Sequence, residues 1–225
     1  AYNTSLGKWS DFSRVYGTTA LEYRWAPFVG NLTIVVERLS ADDEGPDLLV
    51  IGGGAWDRLH MYNTPEEQQA LRYAVEALAK DLDRIKSKLP VVWVTPTKIN
   101  SWALNTDQKR ENIREEQMRE LRLLYGDAGI YDAVSFVLNG SSFTADRVAE
   151  SYDGVHYPLA VYNSGAQILM NAADWLLPVD DEDEDEEFDA PKAEKLNNVG
   201  LGLVILLLVL VGLFAFDGFF GILCA

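Results

Sequence analysis

The stretch DLLVIGGG, residues 47–54, decides the fold. Leu48 to Ile51 are four apolar residues in a row, with no alternation between a dry and a wet face. Such a run reads as a parallel strand buried on both sides. The three glycines after it end the strand and let backbone come close to whatever lies beyond. In open parallel sheets the ligand site lies outside the C-terminal ends of the strands, so Gly52–Gly54 mark the edge where a site is to be sought.

Outward from this strand the pattern alternates. Thr64-Pro65-Glu66-Glu67 is a helix start, with a capping hydroxyl, proline at the first helical position and glutamate at the third. Leu71, Val75, Leu78, Leu82 and Ile85 then form one apolar stripe suited to packing on a sheet. Pro90 ends that helix, and VVWVT (91–95) reads as the next buried strand. The loop PTKINSWALN (96–105) leads to a helix over about 107–124, with Ile113, Gln117, Leu121 and Leu124 on one face. IYDAVSFV (130–137) reads as a third parallel strand, and a last helix spans about 159–177. Upstream, LEYRWAPFVGNLTIVVERL (21–39) reads as two extended stretches around Pro27 and Gly30, the second with the β-branched run Thr33–Val36. The whole predicts an α/β domain, three layers around a parallel sheet.

The 225 residues suffice for one domain with a real core plus an appendage. Of the net charge of −16, nine units come from DDEDEDEEFD at 180–189, which reads as a solvated spacer. Without a basic patch interleaved with aromatics, the chain is not expected to bind nucleic acid. VGLGLVILLLVLVGLFAF (199–216) has 18 residues without a charge. It approaches the ~20 needed to cross a bilayer and reads as a transmembrane helix, a buried core helix being the other reading. The expected division is a folded domain at 1–178, an acidic linker at 179–195 and a membrane segment at 196–225. A start at AYNTS and an end in apolar sequence read as an internal portion of a larger membrane protein. Lys192 and Lys195 suggest that the N-terminal side faces the cytoplasm. The glycosylation-type triplets at Asn3, Asn31 and Asn139 suggest the opposite.

The chemistry-bearing residues gather in DGVHYP (153–158). An aspartate three residues before a histidine on a glycine-containing turn can accept the Nδ1 proton and leave Nε2 as a general base. The plainer reading makes Asp153 a turn-former and His156 a surface or capping residue. Gly53 and Gly54, with Trp56 behind them, can bring backbone N–H groups to a reacting oxygen, or can simply permit tight packing at a strand end. Asp57 and His60 repeat the Asp-x-x-His spacing and form a second candidate pair. Two histidines and one cysteine, Cys224 in the apolar segment, make no metal-ligand cluster, and no metal is expected. None of the serines follows an apolar strand in the Gly-Asp-Ser manner of a nucleophile.

PDLLVIGGGAW (46–56), VVWVTPTKIN (91–100) and YDGVHYP (152–158), followed by an acidic linker and an apolar segment, resemble the sialic-acid O-acetyltransferases and the related polysaccharide O-acetyltransferases. The likeness is to their lumenal domain, of the SGNH/PC-esterase type, and to the start of their multi-span membrane domain. LEYRWAPFVG (21–30) looks like the strand before the glycine block in that family, and the resemblance runs over about residues 21–177.

The resemblance implies an SGNH-hydrolase-like parallel sheet whose first strand is missing from this chain. It implies roles for Asp153 and His156 in a Ser–His–Asp triad, and for Gly53, Gly54 and Trp56 at the oxyanion and substrate site. The serine would lie upstream of Ala1. No cofactor would be tightly bound; acetyl-CoA would be the ultimate acetyl donor, and a glycan or nucleotide sugar the acceptor. The family's place is the Golgi membrane with this domain in the lumen, which outweighs the two lysines. The expected activity is O-acetyl transfer to a sialic acid or other glycan. A carbohydrate acetyl-esterase, or a catalytically silent membrane-tethered glycan-binding domain, stands as the alternative.

Overall fold

The computed structural model describes residues 11–42 and 45–178, and the backbone of 204–208. Among these, six strands form one sheet: β1 (Phe12–Tyr16), β2 (Thr19–Tyr23), β3 (Leu48–Ile51), β4 (Val91–Val94), β5 (Phe136–Leu138) and β6 (Val204–Leu208). Their order across the sheet is β1-β2-β6-β3-β4-β5. Only the β1–β2 hairpin is antiparallel, turning at Gly17 with φ 58°. The other four pairings are parallel, so the chain is an α/β protein with a mainly parallel sheet.

The physical reason for the centre of the sheet is visible in its side chains. Leu48, Leu49, Val50 and Ile51 are all buried, as are Val91 to Val94 beside them. A strand whose two faces are both dry needs no polar alternation, and these two have none.

Among the described residues seven α-helices accompany the sheet: α1 (Val29–Ala41), α2 (Ala55–His60), α3 (Pro65–Ile85), α4 (Asp107–Asn112), α5 (Glu115–Asp127), α6 (Gly140–Phe143) and α7 (Leu159–Leu176). A 3₁₀ segment runs from Ala145 to Glu150. α3 starts where its sequence says. Thr64 Oγ1 accepts from the Glu67 N–H at 3.2 Å, and Glu67 Oε2 accepts from the Thr64 N–H at 3.2 Å. Its stripe Leu71, Val75, Leu78, Leu82 and Ile85 is buried, and α1 packs against it.

The strand expected over 130–137 is confined to Phe136–Leu138, with turns and bends over 130–135. Three further expectations need correction. The β-branched run at 33–36 lies in helix α1, not in a strand. Val29, Leu32 and Val36 are its buried residues, and that three-and-four spacing is the helical period that the run of threonine, isoleucine and valine obscured. The helix over 107–124 is two helices. Ile113 leaves helical geometry at φ −134° and is fully buried, so the chain turns there to insert the side chain in the core.

The third correction concerns the apolar segment. Val204–Leu208 is a strand, not part of a helix, and pairs in parallel with β2 through Leu21↔Ile205 and with β3 through Leu49↔Leu206. An unbroken Val-Ile-Leu run satisfies a central parallel strand as well as it satisfies a bilayer, because both environments are dry on all sides. Among the described residues, no helix is long and apolar enough to cross a membrane. The rest of the expected span, at 196–203 and 209–225, lies outside the described residues, as do the linker at 179–195 and Asn3.

Candidate active site

Because β3, β4 and β5 are parallel, their C-terminal ends open on one edge of the sheet. That edge carries Gly52–Gly54, the loop 95–106 and Asn139. The loop after β4 is its hub. Lys98 N–H donates to Thr144 Oγ1 at 3.0 Å, and Tyr157 Oη donates to the Lys98 carbonyl at 2.5 Å. Ile99 N–H donates to Glu115 Oε2 at 2.7 Å, and Asn100 N–H to the Gly154 carbonyl at 2.9 Å. The DGVH turn is thus brought to the sheet edge by backbone bonding, and three elements fix it there.

Within the turn, Asp153 is the organising group. Its Oδ1 accepts from the N–H groups of Val155 at 3.0 Å and His156 at 2.8 Å, which closes the turn on itself. Its Oδ2 lies 2.7 Å from His156 Nδ1 and accepts from Lys109 Nζ at 2.9 Å. Gly154 makes the bend with φ 89°, and a Cβ there would sit 2.8 Å from the Leu104 nitrogen and 2.9 Å from the Asn100 oxygen. Only glycine fits both the conformation and the space.

The electrostatics follow from these contacts. Burial opposes ionisation of Asp153, yet the bonds from the His156 ring and backbone, then from Lys109 and Val155, together outweigh it. They hold the carboxyl well below the usual carboxylate range. The carboxylate is therefore a fixed anion against Nδ1, and the ring nitrogen left for proton transfer is Nε2. Lys109, on α4, had no signal in the sequence, since nothing in DQKREN marks one cation as reaching a turn 44 residues away.

The glycine block is held differently. Gly54 has φ 88° and caps α2, and the Tyr125 hydroxyl both occupies the space a Gly54 side chain would need and donates to the Gly53 carbonyl. A Cβ on Gly53 would lie 2.6 Å from Leu32 Cδ1. These glycines are thus required for packing, whatever else they do. Trp56 packs edge-on to Trp25 and Phe28, and its ring stacks on His60 at 4.8 Å. The block and the DGVH turn are joined through α4: Gln108 Nε2 lies 3.1 Å from His60 Nδ1, and one residue on, Lys109 bonds Asp153.

Asp57 and His60 do not form a pair with each other. Asp57 is buried and its Oδ2 accepts from the Val29 N–H at 3.0 Å, tying the start of α1 to α2. Burial pushes its carboxyl up to about 6, against the lowering by the bonds from Val29 and its own backbone. The folded value lies above the unfolded one of about 3.9, so this group stabilises the fold fully below about pH 4 and stops doing so as pH rises through about 6. Asp57→Asn should remove that dependence, a difference of about 2 kcal/mol between pH 4 and pH 7. Urea unfolding of both proteins at the two pH values reads it directly.

The defined serine hydroxyl contacts serve local structure. Ser101 Oγ accepts from the Glu115 N–H, Ser135 Oγ from the Val91 N–H, and Ser40 and Ser87 cap backbone carbonyls. Ser151 is 4% exposed, and its Oγ has no hydrogen-bond partner among the described residues; burial keeps it from a substrate. No group of metal-ligating side chains occurs among the described residues. Asn31 and Asn139 are exposed, in the first turn of α1 and at the cap of α6.

Comparison with known proteins gives distant relatives. The chain is 25% identical over 167 residues to Protein ALTERED XYLOGLUCAN 9 of Arabidopsis thaliana, covering 68% of this chain and 45% of that protein. It is 25% identical over 169 residues to N-acetylneuraminate (7)9-O-acetyltransferase of Danio rerio, covering 70% of this chain and 20% of that one. The chain therefore spans less than half the length of either relative. No protein-family model matches it, and no solved structure does.

Proposed function

We propose that this domain is the acyl-transfer unit of a glycan O-acetyltransferase, of the SGNH type with a three-layer sheet. The observation that carries the reading is the Asp153–His156 bond of 2.7 Å at the C-terminal edge of a parallel sheet. Similarity to a protein named as an N-acetylneuraminate O-acetyltransferase supports it.

In this mechanism a serine outside the described residues gives its proton to His156 Nε2 as its oxygen attacks the acetyl carbon of the donor. Acetyl-CoA is the ultimate source of that group. The serine O–C bond forms, the donor bond breaks, and the imidazolium returns the proton to the leaving group. A sugar hydroxyl then gives its proton to Nε2 and attacks the acyl-enzyme, and the serine leaves with the proton. Asp153 stabilises the imidazolium in both halves without itself taking a proton. Backbone N–H groups of the Gly53–Gly54 segment face the oxyanion, with Trp56 bordering the substrate. The domain lies on the lumenal side of a Golgi membrane, a placement to which the exposure of Asn31 and Asn139 is suited.

The test is transfer by the intact protein of labelled acetyl, supplied as acetyl-CoA, to sialic acid and to a xyloglucan oligosaccharide. Label on either sugar is the expected result. Release of free acetate with no labelled sugar identifies an esterase, and no turnover at all removes the catalytic reading.

A further inference from the structure

Two exposed aromatic side chains border the DGVH turn, and the chemistry described so far uses neither. Trp102 is 99% exposed. It sits at the third position of the turn Asn100–Ala103, closed by the Ala103 N–H donating to the Asn100 carbonyl at 3.0 Å. That turn does not hang loose. Asn100 N–H is bonded to the Gly154 carbonyl, and Ser101 Oγ accepts from Glu115 N–H at 3.0 Å. Leu104 and Asn100 press directly on Gly154. Tyr152, on the other side of Asp153, is 62% exposed, and its ring lies parallel to that of His156 at 5.8 Å and 14°.

A tryptophan left almost wholly in water contributes nothing to the core, and here it is carried on a backbone pinned from both sides. Ordering a ring before the ligand arrives spares the entropy of fixing it on binding. The surroundings choose the ligand. Ile99 and Leu104, its large apolar neighbours in the chain, are buried, while Asn105, Thr106 and Asp107 are polar and exposed, so along the chain the ring is followed by hydrogen-bonding surface. A membrane or a stable protein partner calls for a contiguous apolar patch. A pyranose has one face of C–H groups and an edge of hydroxyls, the pattern that an aromatic face beside hydrogen-bonding surface complements.

We propose that Trp102 and Tyr152 form a stacking platform for a pyranose ring of the acceptor, placing the next hydroxyl beside His156. This rests on the reading of the domain as a glycan O-acetyltransferase. Trp102 sets acceptor affinity, and Tyr152 holds one face of the imidazole while its exposed part borders the sugar.

The experiment compares the intact protein with Trp102→Ala, Trp102→Phe and Trp175→Ala, the last an exposed tryptophan on α7 that serves as a control. Initial rates are taken against concentration of whichever sugar, sialic acid or the xyloglucan oligosaccharide, the unsubstituted protein acetylates. Acetyl-enzyme formed without acceptor is measured by mass spectrometry in the unsubstituted protein. The expected result is an acceptor KM raised about tenfold in W102A, the factor that ~1.4 kcal/mol represents, with kcat within about twofold. W102F falls between, and W175A is unchanged. An unaltered acceptor KM in W102A overturns the platform even where the acetyl-enzyme forms normally. Equal rises in W102A and W175A overturn it as well. Failure of the unsubstituted protein to form an acetyl-enzyme overturns the acyl-transfer reading instead, so the two failures are separable.

Discussion

Replacing His156 with alanine in the intact protein lowers acetyl transfer by about 10⁴-fold and leaves the fold in place. The first half of this expectation follows from the chemistry. A serine hydroxyl is a poor nucleophile until a base takes its proton, and Nε2 is the basic atom that the Asp153 bond leaves available. The second half follows from the contacts. The His156 side chain is not a core group, and its loss leaves Asp153 still accepting from two backbone N–H groups and still paired with Lys109. Transfer is measured as label on the glycan, and the fold by circular dichroism and thermal unfolding. Activity within tenfold of the unsubstituted protein would remove His156 from the reaction.

Asp153→Asn should cost about 10³ to 10⁴-fold in kcat, for a different reason. An asparagine keeps one oxygen for the Val155 and His156 N–H groups but turns an amide N–H₂ towards His156 Nδ1 and Lys109. Donors then face donors. The ring responds by placing its proton on Nε2, so that it can no longer accept one from the nucleophile. Lys109 also loses its counter-charge, and a bare ammonium beside the ring disfavours the imidazolium that must form. The damage reaches stability too, because a part-buried cation is left unpaired, so the variant should melt earlier than His156→Ala does. Equal activity of Asp153→Asn and the unsubstituted protein, with the fold intact, would reduce Asp153 to a turn residue.

The sequence made local features readable and long-range ones not. α3 was legible from four residues at its cap and five in its stripe, because both signals are written within one helix. β3 and β4 were legible from apolar runs too short to be helices and bounded by glycine or proline. The contact between Asp153 and His156 spans three residues, well within the reach of a spacing argument. Lys109 was not legible, since its approach depends on α4 breaking from α5 at Ile113, and the break is driven by burial of that one side chain. Trp102 reads in sequence as any tryptophan would, inward-facing by default. The sequence of α1 suggests a strand because β-branching is a local preference, and the packing of Val29, Leu32 and Val36 overrides it. The run at 204–208 was ambiguous in kind: hydrophobicity reports a dry environment and is silent on whether lipid or a sheet supplies it.

The most direct measurement is the tautomer and bonding of the His156 ring, read from long-range proton–nitrogen NMR spectra of the protein labelled with ¹⁵N at histidine. His60, the other histidine, is assigned by its loss in His60→Gln. The predicted result is a proton on Nδ1, far downfield because Asp153 holds it at 2.7 Å, with Nε2 bare in the neutral ring. A neutral ring that carries its proton on Nε2, or one with no downfield Nδ1 proton at all, would contradict the assignment of this turn as a catalytic base.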